Sequence, residues 1–163
     1  MPTPVGHAIG GLAVAWFSRS KGRLVFVCAI VAALPDLDII FDSHRTYAHS
    51  VGAAVLAGVT AWISLRRNSS LAFRAAVVIT AAYGSHVLLD WLGKDSSIPP
   101  GLMALWPFSP HFYISRLDFF GEVSRRYWKP DEFVTENLRT LGWELFVLGP
   151  IAAVAWLLQR LHR

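Results

Sequence analysis

The stretch Leu34-Pro35-Asp36-Leu37-Asp38 places two carboxylates at the end of the apolar run Cys28–Ala33. His44, Arg45 and His49 follow it closely in the chain, just before a second apolar run begins. Asp and His side chains at the ends of hydrophobic segments cost free energy unless they pair with each other or bind a metal ion. We therefore expect the rest of the chain to be organised around this group of polar residues.

The composition predicts a protein of the membrane. Of 163 residues, 54% are hydrophobic and 16% are charged, whereas a soluble domain carries about 25% charged residues. The mean hydropathy is +0.43, and no linker divides the chain, so a single domain spanning residues 1–163 is expected. The net charge is +4, but the basic residues are scattered among short loops without a basic stripe, which argues against nucleic acid as a partner.

The apolar segments predict an all-α fold, a polytopic membrane bundle of about five hydrophobic stretches. Proline disfavours helix at the preceding residue, so Pro35 should end or kink the second helix. Asp42-Ser43 could cap the third helix, which would put His49 in its early turns. The aromatic and proline-rich part of Gly93–Leu141 is typical of an insertion lying in the membrane interface. The five stretches are Val5–Phe17, Leu24–Phe41, a helix from Asp42-Ser43 to Leu65, Ala72–Leu92 and Trp143–Leu158, the last interrupted by Pro150.

The charge distribution predicts which end of these helices faces the cytoplasm. The Ser18–Arg23 loop, the Arg66–Arg74 loop and the C-terminal end carry eight Lys and Arg residues and no acid. The remaining parts carry seven basic residues and all eleven acids, so the two sides have charges of +8 and −4. Short cytoplasmic loops are enriched in Lys and Arg. We therefore expect the polar residues of four helices to meet on the extracytoplasmic side.

This arrangement predicts a metal site. His nitrogens and carboxylate oxygens form a ligand set suited to Zn²⁺, with Mn²⁺ or Fe²⁺ as alternatives, and spare carboxylates would allow one or two ions. A bound metal activates water near neutral pH, and Arg45 could steady an anionic oxygen. Asp38, Arg45 and Asp90 are the predicted catalytic residues. The predicted metal ligands are His7, Asp36, Asp38, His49, His86 and Asp90, and His44, His111 and Glu144 are additional candidates.

These residues in this order carry a family resemblance. The chain resembles the YdjM-like family of membrane-bound metal-dependent hydrolases, which implies an all-helical protein of a bacterial or archaeal inner membrane. The order of His and Asp is also similar to part of the ligand series of zinc-dependent phospholipase C. The resemblance rests on His7 with Gly10-Gly11, Leu34-Pro35-Asp36-Leu37-Asp38, His44-Arg45 with His49-Ser50, His86 with Asp90, and Trp106-Pro107-Phe108.

The sequence thus predicts a membrane-bound hydrolase in which metal-activated water attacks an ester or phosphoester. Because the site would face the outer leaflet, a lipid or lipid-linked molecule is the expected substrate. Two alternatives stay open. A metal or proton transporter would place ionisable groups at several depths of the membrane, and a non-catalytic scaffold or regulatory protein would tolerate loss of the polar residues.

Overall fold

The computed structural model describes residues 1–41, 45–66 and 69–161. Within these ranges the chain forms five α-helices and one 3₁₀ segment, together with two isolated β-bridges and no extended strand. The prediction of an all-α fold is therefore confirmed for the described residues. In chain order the helices are α1 (Pro4–Phe17), α2 (Arg23–Ala33), the 3₁₀ segment (Leu34–Phe41), α3 (Val51–Leu65), α4 (Ser69–Leu92) and α5 (Pro130–Leu161).

Pro35 marks the end of the second helix, as the sequence predicts. The α-helix ends at Ala33, and the chain continues in the tighter 3₁₀ winding from Leu34. A proline ring disfavours the α conformation in the residue before it and removes a backbone donor, so α-helical hydrogen bonding does not continue past this point. The 3₁₀ segment carries Asp36 and Asp38 away from the end of α2.

The start of the third helix differs from the prediction. The helix begins at Val51, after His49 rather than before it, and Ser50 is its N-cap. The Ser50 hydroxyl accepts a hydrogen bond from the backbone N–H of Ala53 at 3.0 Å, which satisfies one of the unpaired donors of the first turn. The predicted cap at Asp42-Ser43 lies outside the described residues. His49 therefore belongs to the loop that leads into α3.

Within the described part of the chain, two helices are long and apolar enough to cross a membrane: residues Ser70–Leu92 within α4, and Pro130–Leu161, which is α5. Only 22% of the most apolar window of α5 is buried inside the structure, which fits a helix facing lipid better than the core of a soluble protein. Pro150 was expected to interrupt this helix, but α5 continues through it. α1 and α3 are apolar helices of 14 and 15 residues, so the prediction of five spans is not confirmed by length.

α1 contacts α2, α4 and α5, and α4 contacts α1, α2 and α3, so these two helices form the middle of the bundle. Glycine residues allow the closest approaches between neighbouring helices. A Cβ added at Gly11 would lie 2.4 Å from the carbonyl oxygen of Cys28 on α2, and one at Gly58 would lie 1.9 Å from the Thr80 hydroxyl on α4. Small residues at such positions let helix backbones pack tightly. The apolar core beside these contacts contains Ala15, Cys28, Val78, Ile79 and Ala82.

Residues 93–129 form a non-helical segment against the ends of the helices. The backbone N–H of Val51 donates to Ala104 at 2.8 Å, and that of Gly52 donates to Trp106 at 2.9 Å. A bridge between Gly93 and Phe120 fixes the other side of the segment beside the end of α4. The aromatic-rich insertion therefore packs at the end of the bundle where α3 begins and α4 ends.

The close approach at Gly11 gives a prediction about stability. In Gly11→Ala the new Cβ would overlap the backbone of α2, so the free energy of unfolding should fall by about 1–3 kcal/mol, although alanine favours helix over glycine by about 1 kcal/mol. Gly142→Ala on α5 is the matched control, since nothing lies within 4 Å of its Cβ position. Denaturant-induced unfolding in detergent micelles measures both, and equal stability of Gly11→Ala and wild type would contradict the packing described.

Candidate metal centre

His7 is held in the first turn of α1, and its side chain is fully buried. Thr3 is the N-cap of the helix, and its hydroxyl accepts a hydrogen bond from the backbone N–H of Gly6 at 3.1 Å. Glu144 of α5 in turn accepts from the Thr3 backbone N–H at 2.7 Å and from the Thr3 hydroxyl at 2.5 Å. A carboxylate near a helix N-terminus is electrostatically favourable. The pair of Thr3 and Glu144 therefore fixes the turn that presents His7.

Asp36 and Asp38 both lie on the 3₁₀ segment, but their side chains contact different histidines. Successive residues of a 3₁₀-helix are about 120° apart around its axis, so side chains two positions apart diverge. Asp36 has one oxygen 4.0 Å from His7 Nε2 and the other 4.0 Å from His86 Nε2. Asp38 instead lies beside His49, with its two oxygens 3.3 and 3.4 Å from Nε2.

His86 and Asp90 lie one turn apart on α4, and both are fully buried. His86 Nδ1 lies 2.8 Å from the backbone carbonyl oxygen of Ala32 near the end of α2. A carbonyl can only accept a hydrogen bond, so this contact places the proton on Nδ1 and leaves a lone pair on Nε2. Nε2 faces Asp90 Oδ2 at 3.1 Å. An outer acceptor that orients a histidine in this way is typical of metal-ligating imidazoles.

His49 completes the group from the loop before α3. Its Nδ1 lies 2.7 Å from Asp90 Oδ2 and 2.9 Å from His86 Nε2, while its Nε2 faces Asp38. Hydrogen bonds on both sides of His49 help hold the loop: the Ser50 hydroxyl donates to the Tyr47 carbonyl at 2.6 Å, and the Tyr83 hydroxyl donates to the Ala48 carbonyl at 2.8 Å. His49 thus bridges two carboxylates that come from different elements.

We call the six side chains contributed by α1, the 3₁₀ segment, the His49 loop and α4 the polar cluster. His7, His49, His86 and Asp90 have no exposed surface, and the side chains of Asp36 and Asp38 are 18% and 11% exposed. The structure therefore brings together all six residues predicted as metal ligands. Its members are His7, Asp36, Asp38, His49, His86 and Asp90.

Several buried atoms of the polar cluster fit a cation. Among the described residues, His7 Nε2, Asp36 Oδ2 and Asp90 Oδ1 have no hydrogen-bond partner. Yet Nε2 lies 3.2 Å from Asp90 Oδ1 and 4.0 Å from Asp36 Oδ2. Leaving buried polar atoms without partners is costly, and a divalent ion coordinated by nitrogen and oxygen would satisfy all three. The donor set matches the sequence-based expectation of zinc, manganese or iron.

The pKa of His49 reflects the two carboxylates on either side of its ring. Burial lowers the pKa of the His49 imidazole, but hydrogen bonds with Asp38 and Asp90 outweigh burial and raise this pKa to about 9. His49 therefore carries a proton at neutral pH between two carboxylates. A divalent ion would take over this neutralising role, since ligand histidines bind metals in the neutral form and release protons on binding.

Arg45, predicted as a catalytic residue, has a different role. Its guanidinium forms an ion pair with Asp95 and donates to the carbonyls of Pro99 and Gly101 at 3.0 Å each. These partners belong to the 93–129 segment and not to the polar cluster, so the structure does not bring Arg45 together with the other predicted catalytic residues. The sequence could not show that the 93–129 segment supplies a carboxylate for this guanidinium. Arg45 instead ties the His49 loop to that segment.

Of the three additional candidates, none joins the polar cluster among the described residues. Glu144 is fully buried but binds Thr3 at the N-terminus of α1. His111 is exposed, and its backbone N–H donates to the Ser109 hydroxyl at 3.3 Å. His44 lies outside the described residues. The positioning role of Thr3 escaped the sequence analysis, although Thr3-Pro4 is a recognisable start signal for a helix.

Comparison with known proteins and protein families finds one family that matches the chain. A family model described as YdjM inner membrane protein matches residues 1–161. The match covers nearly all of the chain, including all six members of the polar cluster. No curated protein and no solved structure matches the chain.

The Arg45–Asp95 pair gives a prediction about stability and pH. Burial raises the pKa of Asp95, but hydrogen bonds from Ser97 and Gly101 and the charge of Arg45 outweigh it and hold the pKa below its ordinary value of 3.8. The stabilisation is therefore present above pH 3.8 and disappears as the pH falls through the lower pKa of the folded state. Asp95→Asn should lose about 3 kcal/mol of unfolding free energy at neutral pH, because Arg45 keeps its charge without a carboxylate partner.

The control for Asp95→Asn is Glu132→Gln, which removes an exposed ion pair with Lys129 at 2.7 Å. An exposed pair contributes about 1 kcal/mol or less, so this variant should unfold nearly like wild type. Unfolding is measured from neutral pH down to below pH 3.8, where the gap between wild type and Asp95→Asn should close. A gap that stays constant over this range would contradict the assignment.

Proposed function

The chain belongs to the YdjM inner membrane protein family, and we propose that it is a membrane-embedded metal-dependent hydrolase whose centre is the polar cluster. The observation that carries this proposal is the convergence of three histidines and three carboxylates, four of them fully buried, at one end of the bundle. Buried ionisable groups at the end of apolar helices are costly and mark functional sites by default.

The proposed topology has five membrane segments with the polar cluster on the extracytoplasmic side. The cluster lies at the start of α1, after α2, before α3 and at the end of α4. Basic residues lie at the opposite ends of the same helices: Arg74 in the second turn of α4 donates to the carbonyls of Ser18 and Arg19 at 2.9 Å, so the basic stretch after α1 meets the start of α4. Basic loops on the cytoplasmic side fit the positive-inside rule, which supports a site facing the outer leaflet.

Zinc is the ion that this ligand set favours, with His7, His49, His86, Asp36 and Asp90 as the groups that would hold it. When bound, a divalent cation lowers the pKa of a water ligand and polarises an ester or phosphoryl oxygen. The surrounding residues exclude bulk water, since four cluster side chains have no exposed surface. Ala32 and Asp38 orient the two imidazoles of His86 and His49 through the nitrogens that point away from the cation.

Asp38 is the group we assign to proton transfer. It is partly exposed, and its carboxylate lies 3.3 Å from His49 Nε2, so it can take up a proton from an attacking water and pass it outward. A carboxylate held beside a histidine and open to one side is suited to general base catalysis. Asp90, in contrast, lies too deep to exchange protons with solvent and serves to hold the cation.

A lipid or lipid-linked substrate fits the surroundings of the opening. The partly exposed members of the polar cluster, Asp36 and Asp38, both lie on the 3₁₀ segment, so a substrate reaches the centre from this side. Leu34 and Leu37 of the same segment are 46% and 57% exposed. Apolar side chains beside carboxylates at a membrane surface favour a molecule with an ester or phosphoester head and an apolar tail.

The two alternative functions, a transporter and a non-catalytic scaffold or regulatory protein, require different properties of the polar residues. A transporter needs ionisable groups along a path through the membrane, whereas every acid and histidine that the structure describes within residues 1–92 belongs to the polar cluster. A scaffold or regulatory protein needs no metal, so it would leave metal content insensitive to changes in the polar cluster. Metal analysis therefore separates the proposed hydrolase from the non-catalytic alternative.

The test compares detergent-purified wild type with the double variant His86→Ala/Asp90→Ala by elemental analysis for zinc, manganese and iron. Wild type should hold about one ion per chain or more, and the double variant should lose metal by about tenfold or more. His111→Ala is the matched control, because this exposed histidine lies outside the polar cluster and its loss should leave metal content unchanged.

A headgroup-release assay on vesicles of phospholipids and lipid-linked phosphates then tests hydrolysis with the same three proteins. The hydrolase predicts release by wild type and His111→Ala and none by the double variant. Equal metal content in wild type and double variant would contradict the metal centre. Metal binding without release from any lipid of the panel would favour a non-catalytic role.

A further inference from the structure

A groove runs along α1 on the side where α4 and α5 flank it. Both of these helices pack on α1, and a cavity of about 190 Å³ lies between the three helices. Small residues of α1, Gly10 and Ala13, leave this space free. The described lining is apolar except for the Ser85 hydroxyl, which donates to the Ala82 carbonyl of its own helix at 2.7 Å. An apolar cavity of about 150 Å³ stays free of water and binds hydrocarbons, so this cavity is suited to an apolar ligand.

The cavity is open at the side of the bundle and closed toward the polar cluster. Phe17 and Leu88 line it and are half-exposed, so an apolar molecule reaches it from the surrounding lipid. At the other end of the cavity, Leu89 and Leu148 pack with Phe120 of the 93–129 segment, and all three side chains are buried. A ligand in the cavity is therefore separated from the polar cluster, and its binding does not depend on the proposed metal centre.

A second crevice continues the groove at the opposite end of the bundle from the polar cluster. It has a volume of about 120 Å³ and lies between the ends of α1 and α5, and Phe17 lines both spaces. Its other lining residues combine an apolar part, Trp16 and Leu158, with a polar part, Arg19 and Gln159. Tryptophan is enriched where a membrane meets water. The groove therefore passes from an apolar region to a cationic one at the depth where lipid headgroups lie.

The cationic end of the groove is suited to an anion. Helix C-termini carry a partial negative charge that would repel an anion, but the carbonyls that follow α1 are occupied. Arg74 donates to those of Ser18 and Arg19 at 2.9 Å, and the Gln159 amide donates to that of Ser20. The charged side chains described at this end of the bundle are all basic: Arg19, Lys21, Arg23, Arg66, Arg74 and Arg160.

The length of the groove matches the depth of one membrane leaflet. Ile9 and Arg19 mark its two ends on α1, and ten residues of helix rise about 15 Å, which is half of a hydrocarbon core about 30 Å thick.

We propose that this groove binds one anionic phospholipid, with the phosphate at Arg19 and an acyl chain in the cavity between α1, α4 and α5. A guanidinium binds phosphate oxygens through charge-assisted hydrogen bonds, and basic pockets between membrane helices on the cytoplasmic side bind anionic headgroups. Under the proposed topology the lipid belongs to the cytoplasmic leaflet, because the basic loops lie on that side.

Native mass spectrometry of the detergent-purified full chain tests the site by counting bound lipid molecules. Wild type is titrated with dioleoylphosphatidylglycerol and with dioleoylphosphatidylcholine, which have the same chains but differ in headgroup charge. We expect about one phosphatidylglycerol per chain, bound about fivefold or more tightly than phosphatidylcholine. Inorganic phosphate should not displace it, because free phosphate has no chain to fill the cavity. Equal binding of the two lipids would overturn the anionic site, and displacement by inorganic phosphate would overturn the lipid as its ligand.

Two variants test the two parts of the groove separately. Arg19→Gln should weaken binding of phosphatidylglycerol by about fivefold and leave phosphatidylcholine unchanged, whereas Ala13→Leu should fill the cavity and weaken binding of both lipids. Arg116→Gln is the matched control, because Arg116 is also an exposed arginine with a positive φ but lies in the 93–129 segment. Equal losses in Arg19→Gln and Arg116→Gln would overturn the phosphate position, and unchanged binding in Ala13→Leu would overturn the chain position. The headgroup comparison uses wild type and an exposed residue, so it stands even if Ala13→Leu does not fold.

Discussion

The Asp90 carboxylate is the constraint around which the described helices are arranged. It is fully buried, and its two oxygens contact histidines from α1, from the loop before α3 and from its own helix, at 2.7 to 3.2 Å. An isolated carboxylate in such a place would cost several kcal/mol, so the fold must bring compensating groups to it. The compensating histidines lie at or beside helix ends: His7 is in the first turn of α1, His49 comes just before α3, and His86 is near the end of α4.

The residues that surround the polar cluster hold its side chains in position. Thr3 and Glu144 fix the start of α1 and thereby His7. The Ala32 carbonyl and Asp38 bind the outer nitrogens of His86 and His49, and the Arg45–Asp95 pair fastens the His49 loop to the 93–129 segment. Such outer partners set the orientation of ligand side chains, and their loss typically lowers metal affinity by about 10–100-fold.

The sequence predicts the helical fold and the membership of the polar cluster, but not the details that need tertiary contacts. Pro35 fixes the end of α2 through its own ring, and the spacing of His86 and Asp90 places them on one helix face, so both features are local. The start of α3 was misplaced because Ser50 competes with an earlier Asp-Ser pair as a cap. The roles of Arg45 and Glu144 depend on residues 50 and 141 positions away, which no local pattern reveals.

The claim that the polar cluster holds a divalent cation through imidazole and carboxylate ligands is tested most directly by X-ray absorption at the zinc edge. The protein is purified in detergent and loaded with zinc. We expect a first coordination sphere of nitrogen and oxygen with the multiple-scattering features of imidazole and no sulfur. A sphere containing sulfur from Cys28, or one of water oxygens without imidazole, would contradict it.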